Sequence, residues 1–551
     1  MRCFLTGLIL CSCLLRAELD PPGNFPDNNQ ALTAADVQLA INAAAHAVNS
    51  SSMVIAVTDR QGNPLAVFRE TNAPAQGIAN FSQPVDSTEL AVALARTASF
   101  FSNSEAPLSS RTVRFISGIH FPPGIMFVSN AALYGIENTN RGCPFNADYL
   151  PGKALPPSRS IDGTQPGLGI LTGKKDVLDS DALASVNPGG VPLYKGGRLV
   201  GGIGVTGVPL LTAEYAALVG AVGSGLFKAP AAPAVVIIAG ISLPFVNQAT
   251  QPAGTSPVPA SVDLLSLGAY VPIPAAGTAS KVCDRGVICP GASILAPREH
   301  RRPSAVAHAL VQGPQDSPGP APEGYLVAPH DGPLGGLTAS DVQKIVENTL
   351  FTADQTRAQI RLPIGTRARF VITVADLDGK LLVLYRMRDA TIFSVDVSVG
   401  KARNVIYFTG GSSYGNRTAG DLPGVPMNTA VTNRSISFGA QPFYPPGIDF
   451  TPAGPFFDLY KFDTANPCTQ GAQVANPYQN GIVFFPGALP LYRNGKLVGG
   501  LGVSGDGVDQ DDFATGAGGV GYEAPDNIRA DTVIIRGVRL PYIKFPRNPT
   551  L

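Results

Sequence analysis

One ordered set of phrases occurs twice in this chain of 551 residues, and this repetition constrains the fold more than any other feature. The phrase LTAADVQLAI, which starts at Leu32, returns as LTASDVQKIV from Leu337. The phrase VIAVTDRQGNPLAVFR, which starts at Val54, returns as VITVADLDGKLLVLYR from Val371. Solenoid repeats have periods of only about 20–50 residues, whereas each copy here is about two hundred residues long. The sequence therefore predicts two copies of a whole domain.

Later phrases keep the same order to the end of each copy. FPPGI from Phe121 returns as YPPGI from Tyr444, and VPLYKGGRLVGGIGVTG from Val191 returns as LPLYRNGKLVGGLGVSG from Leu489. The predicted boundaries are a signal peptide over 1–17, a polar leader over 18–31, a first domain over 32–245, a linker rich in Pro, Ala and Gly over 246–336, and a second domain over 337–545.

Helical and strand patterns alternate in the same order within each copy. Thr33 is a predicted N-cap for the first helix, and 87–101 and 393–408 are predicted as the matching second helices. Short strands joined by tight turns predict hairpins, and long excursions rich in Pro and Gly precede a closing hairpin, a helix and a final apolar strand. Hairpin connections predict antiparallel sheets with helices packed on them, which is an α+β fold class.

Charge and hydropathy limit the partners and the location of the chain. Lysine and arginine together number 40 and so do the acidic residues, and no basic stripe occurs, so nucleic acid is not expected as a partner. Residues 1–17 combine Arg2 with a short apolar stretch, which predicts a signal peptide and a secreted or periplasmic protein. Lipoprotein anchoring at Cys13 is the alternative. No later segment is long and apolar enough to predict a transmembrane span.

Four cysteines would remain after removal of the leader, and they could pair in three ways. Cys283 and Cys289 lie close together in the linker and predict a local disulfide. Cys143 and Cys468 occupy equivalent places in the two copies, and they are either unpaired or partners across the domains.

These phrases resemble the GlcG/HbpS family, which includes the glycolate-operon accessory protein, secreted haem-binding sensors and the C-terminal domain of some corrinoid adenosyltransferases. The resemblance is carried by the LT-x-x-D opening, the AV-x-D-x-x-G-x-L hairpin, Lys401-Ala402-Arg403, and the closing P-L-Y-x-x-G-x-L-V-G-G-x-G-V-S-G hairpin. It implies a small profilin-like domain, here in tandem, that oligomerises and often binds haem or another tetrapyrrole. Both copies carry long insertions that compact members lack, which leaves a homo-oligomer and a pseudo-dimer of the two copies as alternatives.

The second copy keeps more of the family pattern than the first. It retains Arg386 in the phrase RMRDA, Lys401 on the second helix, and an acidic stretch after the last hairpin. The first copy has Leu94 where the second has Lys401. A ligand site is therefore predicted in the second copy or between the copies.

A haem site needs an apolar slot, cations for two propionates and usually an axial donor. Lys401 and Arg403, with Arg386 nearby in the same copy and Arg96 at the position matching Arg403, are the candidate propionate clamp. His120 is the candidate axial ligand.

Structural roles could explain the same residues. Arg96 and Arg403 could lie on helix surfaces and pair with Glu89 or Asp396 one to two turns back, and His120 could be satisfied or exposed without a ligand.

The acidic stretch offers a separate candidate site. Asp506, Asp509 and Asp511, with Asp512, could bind a hard cation through oxygen ligands. Their spacing does not match an EF-hand loop, and an acidic helix start is the alternative.

Three functions from different classes fit these observations. The first is an exported, non-catalytic protein that binds haem or a related tetrapyrrole. The second is a structural or assembly protein built from two degenerate domains. The third is an enzyme acting on a small hydroxy or oxo acid, although no Ser-His-Asp or paired-carboxylate arrangement is apparent.

Overall fold

A computed structural model describes residues 31–143, 161, 168–176, 186–227, 236–273, 282–283, 287–288, 323–410 and 417–550. The predicted signal peptide, Cys13 and Cys289 lie outside the described residues, and only the backbone is described at Cys283.

The first copy and the segment that follows it contain five helices and eleven strands among the described residues. In chain order they are α1 (Ala34–Ala47), β1 (Val54–Asp59), β2 (Pro64–Glu70), β3 (Gln76–Ile78), β4 (Pro84–Asp86), α2 (Ser87–Phe101), α3 (Ser110–Phe115), β5 (Gly190–Lys195), β6 (Arg198–Thr206), α4 (Leu210–Gly223), β7 (Ile237–Ile238), β8 (Ile241–Ser242), α5 (Leu264–Leu267), β9 (Gly268–Tyr270), β10 (Val282–Cys283) and β11 (Val287–Ile288).

The second copy has the same order of sheet strands and main helices, except that, among the described residues, its edge strand comes first, the counterpart of the β3–β4 hairpin is missing and α9 (Phe457–Ala465) is added. Its elements are β12 (Gly324–Val327), α6 (Ala339–Ala353), β13 (Val371–Ala375), β14 (Leu381–Arg386), α7 (Phe393–Thr409), α8 (Asn433–Gly439), α9 (Phe457–Ala465), β15 (Ala488–Arg493), β16 (Lys496–Ser504), α10 (Val508–Gly518), β17 (Ile534–Ile535) and β18 (Val538–Arg539).

Two five-stranded antiparallel sheets form the framework and share one strand order. The first runs β5-β6-β1-β2-β9 and the second, read in the same direction, runs β15-β16-β13-β14-β12. The first helix of each copy starts with a capping box, in which Thr33 or Thr338 bonds reciprocally with the aspartate three residues on. The predicted α+β class with antiparallel sheets and packed helices is confirmed.

The predicted final strand of each copy is wrong. The apolar phrases at 236–245 and 532–542 form separate two-stranded hairpins, β7–β8 and β17–β18, instead of joining the sheets. The fifth strands come from the segment predicted as linker, because β9 pairs with β2 and β12 pairs with β14. Both edge strands are only three or four residues long, so the sequence pattern does not mark them.

The second helix of each copy packs directly onto the longest strand of its sheet, α2 onto β6 and α7 onto β16. A side chain at Gly202 or Gly204 would collide with the backbone oxygen of Ala95 or Ala91 in α2, and Gly500 meets Ala402 of α7 in the same way. The glycines of the GGIGV and GGLGV phrases therefore serve close backbone packing, as their hairpin context predicts.

Each copy has its own apolar core, and a further apolar cluster is shared between the copies. Phe101 at the end of α2 stacks on Phe393 at the start of α7, with ring centroids 4.3 Å apart. The backbone N–H of Ile392 donates to the carbonyl oxygen of Phe100 at 3.1 Å. Residues of both copies thus bury the same cluster, which fixes the copies against each other.

Covalent and polar contacts join the insertions of the two copies. Cys143 and Cys468 form a disulfide across 325 residues of sequence. His120, next to the first PPGI phrase, contacts Asp449 beside the second at 2.9 Å. Of the two alternatives for Cys143 and Cys468, the structure has the partnership across the domains. No helix among the described residues has the length and apolar character needed to span a bilayer.

Candidate functional site

A cleft of about 820 Å³ opens between the two copies. The first copy contributes Ile116, Tyr134 and the β7–β8 hairpin. The second copy contributes α8, the start of α10 and the tail that follows β18. Sites for small molecules commonly measure about 300–1,000 Å³, so the cleft is large enough for a ligand of cofactor size.

Apolar and aromatic side chains cover much of the cleft wall. They are Ile116, Phe121, Ile237, Ile238, Leu362, Phe484, Phe485, Leu540, Tyr542 and Ile543. A wall of this kind favours an apolar ligand, because its burial removes apolar surface from water.

Basic side chains outnumber acidic ones along the cleft. The basic set is Arg357, Arg361, Arg434, Arg539, Lys544 and Arg547, and the acidic set is Asp509 and Asp531. Arg361 and Arg434 are already neutralised. Arg361 contacts Asp506 at 2.5 Å, and Arg434 contacts Asp512 at 2.5 Å and Asp509 at 2.6 Å.

Arg357, Arg539 and Arg547 form the uncompensated set, which we call the cleft arginines. Arg357 donates to the carbonyl oxygens of Asn548 and Arg547, at 2.9 and 3.1 Å, which docks the tail against the cleft. Within the described part of the chain, none of the three forms an ion pair with a carboxylate. Their charges are therefore available to an anionic ligand.

A second, apolar void of about 20 Å³, which we call the throat, adjoins the cleft. The throat shares Ile116, Ile238 and Phe485 with the cleft and also contacts Asp511 at the start of α10. A cavity needs about 10–15 Å³ to hold one water, so the throat admits a single small group.

Asp511 and Lys401 form a buried ion pair behind this throat. Lys401 Nζ donates to Asp511 Oδ2 at 2.8 Å and to the carbonyl oxygen of Val503 at 2.8 Å. Burial raises the pKa of Asp511 to about 7 and lowers the pKa of Lys401. Asp511 Oδ1 is buried without a hydrogen-bond partner. One acceptor atom therefore remains available at the end of the throat.

The candidate propionate clamp does not form an open site. Lys401, Arg403, Arg386 and Arg96 are each 2% exposed or less. Arg386 donates to the carbonyl oxygen of Ala390 at 3.0 Å. The alternative that Arg96 and Arg403 lie on helix surfaces is wrong, since both lie in the interior, but the predicted electrostatic interactions with Glu89 and Asp396 are present.

Arg96 and Arg403 perform the same task in the two copies. Arg96 Nε donates to the carbonyl oxygen of Gly62 at 2.8 Å, and Arg403 Nε donates to that of Gly379 at 2.8 Å. Each arginine thereby fastens the β-hairpin turn of its own copy to the second helix. A matched position in both copies marks a structural role here.

His120 lies near the cleft but faces Asp449. Their contact of 2.9 Å satisfies the imidazole, and the ring stacks on Phe443, its counterpart in the second copy. This arrangement matches the structural alternative for His120, and His120 is not part of the cleft wall.

The acidic stretch is spread over separate ion pairs. Asp506 contacts Arg361, Asp511 contacts Lys401, and Asp509 contacts Arg434. No group of three His, Cys, Asp or Glu suited to a metal ion occurs in the regions that the structure describes. The geometry gives the metal prediction no support, and the acidic start of α10 fits the alternative.

Sequence reasoning missed the cleft arginines. One signal was available, because Arg539 stands where the first copy has Ser242 in an otherwise matching phrase, IIRGVRLP against IIAGISLP. Arg357 and Arg547 lie outside the repeated phrases and carry no such signal.

Comparison with known proteins identifies the family. The model of the family described as "Haem degrading protein HbpS-like" matches residues 337–518. An uncharacterised 15.0 kDa protein from the dhaT–dhaS intergenic region of Citrobacter freundii is 30% identical over 141 residues, covering 26% of this chain and 67% of that protein. The chain belongs to the HbpS-like family. The resemblance to the GlcG/HbpS family is thereby confirmed, and the family match lies on the second copy of this HbpS-like protein.

Two solved structures are similar to this HbpS-like chain at low sequence identity. The crystal structure of the Klebsiella pneumoniae protein ORFY matches at 20% identity with a TM-score of 0.21, over 34% of this chain and 90% of that one. The PduOC–haem complex matches at 22% identity with a TM-score of 0.20, over 32% of this chain and 89% of that one.

Proposed function

We propose that this HbpS-like protein is an exported, non-catalytic binding protein for haem or a related tetrapyrrole, and that its ligand lies in the cleft between the copies. The observation that carries the proposal is the combination of an apolar wall with the three cleft arginines, which have no carboxylate partner among the described residues. A tetrapyrrole is a flat apolar ring with two propionates, and this wall and these charges match both features.

The residues that line the cleft can be compared separately with the ring of haem and with its metal. The apolar wall and the cleft arginines fit the ring and its propionates. Among the described residues of the wall there is no His, Met or Cys, and the phenols there are Tyr134 and Tyr542. Bound haem would supply an iron centre, yet the wall offers it few axial donors. Affinity should therefore come mainly from the ring and the carboxylates.

The residues of the cleft act by binding and orientation. Phe484 and Phe485 offer apolar surface to the ring, and Arg357, Arg539 and Arg547 hold the carboxylates. Tyr542 of the tail is buried, and Arg357 docks the end of the tail in place. The tail and the first copy's hairpin both line the cleft.

Two further features support parts of the proposal. The disulfide between Cys143 and Cys468 supports export, because such bonds persist in oxidising compartments. The shared strand order supports a tandem duplication of one profilin-like domain, with Pro- and Gly-rich insertions and with the copies packed as a covalent pseudo-dimer. We also retain the prediction of a local disulfide between Cys283 and Cys289.

Titration with haemin, followed by the Soret absorption, tests the proposal. We expect saturable binding at micromolar haemin, and iron-free protoporphyrin should bind within about tenfold of haemin because axial donors are few. The dimethyl ester of protoporphyrin should bind more weakly, since it lacks the charges that the cleft arginines hold. No saturable spectral change with either porphyrin would contradict the proposed function.

A further inference from the structure

We propose that the throat is a second recognition element, which selects tetrapyrroles bearing a small hydroxyl or amino group on the edge opposite the propionates. This inference rests on the proposed function. It adds a specificity that neither the apolar wall nor the cleft arginines provide.

The first step is the unused acceptor at the end of the throat. Asp511 is 2% exposed, and its Oδ2 is held by Lys401 whereas its Oδ1 has no hydrogen-bond partner. A buried acceptor without a partner is costly, so a ligand or water donor there is favourable.

The second step is the size and polarity of the throat. Its void of about 20 Å³ holds one water or one hydroxyl group but not a ring. Its walls include Phe101, Phe393 and Phe485, whose side chains have no hydrogen-bond acceptor for a ligand. A hydroxyl group reaching through these walls meets Asp511 Oδ1 as its acceptor.

The third step is the distribution of charged side chains along the cleft and the throat. The cleft arginines lie on the helix-to-sheet segment before β13, on β18 and on the tail, whereas Asp511 is negative and lies behind the apolar throat. A carboxylate at the throat would find no cation among the residues that line it and would face the acceptor oxygen of Asp511, so the propionates are directed to the arginines. The ring edge without propionates then faces the throat.

Two porphyrins that differ at this edge provide the probes. Haematoporphyrin carries 1-hydroxyethyl groups where mesoporphyrin carries ethyl groups, and both keep the two propionates. We expect haematoporphyrin to bind about tenfold more tightly, because its hydroxyl donates a charge-assisted hydrogen bond to Asp511. The titrations are made with the full-length protein, by porphyrin fluorescence, well above the pKa of Asp511.

A pair of neighbouring variants separates the throat from general effects of buried charge. Asp511→Asn keeps the shape of the side chain and should reduce the preference for haematoporphyrin to about twofold or less. Asp512→Asn is the matched control, since Asp512 is also buried, also ion-paired and also has a free Oδ1, yet it does not contact the throat. It should keep the full preference.

The outcomes distinguish the two proposals. Equal and tight binding of both porphyrins to the unmodified protein would overturn the throat inference and leave the binding function intact. A preference that Asp512→Asn removes as completely as Asp511→Asn would also overturn the throat inference. If neither porphyrin binds, the proposed function fails and the inference fails with it. Circular dichroism of each variant confirms that it is folded.

Discussion

The buried ion pair of Lys401 and Asp511 should affect the free energy of unfolding, and the first copy shows which residues can replace it. The first copy has Leu94 and Ala213 at the corresponding positions, both buried. The first copy therefore has two buried apolar side chains at the positions where the second copy has a buried ion pair. We expect Lys401→Leu alone to destabilise the protein, and Lys401→Leu with Asp511→Ala to restore most of the loss.

The magnitude follows from the burial of both partners. Lys401 is 0% exposed and Asp511 is 2% exposed, so removing the lysine leaves an uncompensated carboxylate in the interior. Breaking such a pair costs about 3–5 kcal/mol, whereas replacing both partners by apolar residues is often close to neutral. The cost of the single change should be smaller below the raised pKa of Asp511, where the carboxyl is protonated, and larger above it.

Urea unfolding followed by far-ultraviolet circular dichroism measures the difference, at one pH below and one above the pKa of Asp511. The reasoning would be refuted if Lys401→Leu lay within about 0.5 kcal/mol of the unmodified protein. It would equally be refuted if the double variant were no more stable than the single one at the higher pH.

Three further predictions concern the disulfide, the buried acids and the cleft. Replacing both Cys143 and Cys468 by Ser should lower the melting temperature measured by calorimetry. The disulfide closes a loop of 325 residues, and such bonds contribute about 2–4 kcal/mol to stability. An unchanged melting temperature would contradict this prediction. Burial raises the pKa of Asp463 to about 8, so its contribution to stability is present below pH 4 and is lost as the pH rises towards 8. Asp463→Asn should therefore flatten the pH dependence of urea unfolding over that window, and identical pH profiles would argue against a raised pKa. Arg539→Gln should weaken haemin binding about tenfold, because Arg539 lines the cleft. The control is Arg536→Gln on the same hairpin, which should leave binding unchanged because Arg536 donates to the carbonyl oxygen of Ala453 away from the cleft. Equal effects of the two substitutions would show that Arg539 does not belong to the site.

Local sequence patterns predicted most of the helices that pack on the two sheets and the strands of their hairpins, but not α3, α5, α8 and α9, which lie in the excursions and the linker. The helix over Phe393–Thr409 is present even though its β-branched residues disfavour it, and it was found because the first copy has a clear helix at the same place. Repetition thus supplied information that propensity did not.

Edge strands and hairpins show where local patterns fail. The phrase around Ile534 is apolar enough for a sheet strand, yet it turns back on itself at Arg536 and Gly537, both with positive φ. The strand Gly268–Tyr270 lies in a segment rich in Pro and Ser, and only its pairing with β2 defines it. Pairing over a long sequence separation is a property of the folded chain.

The candidate site shows the same limit more strongly. Basic residues on the second helix predicted a ligand clamp at Lys401 and Arg403. Both side chains instead form hydrogen bonds in the interior of the protein. The cleft depends on how the two copies pack, since Ile238 of one faces Phe485 of the other. Comparison of the two copies predicted a site in the second copy or between them, and the function proposed above takes the second alternative.

A crystal structure of the full-length protein with haematoporphyrin would show directly whether the ligand lies between the copies. We expect ring density in the cleft, beside Phe484 and Phe485, with the propionates at Arg357, Arg539 or Arg547 and a hydroxyl group within hydrogen-bond distance of Asp511. Ring density on the surface of one copy alone, or propionates directed to Lys401 and Arg403, would contradict this expectation.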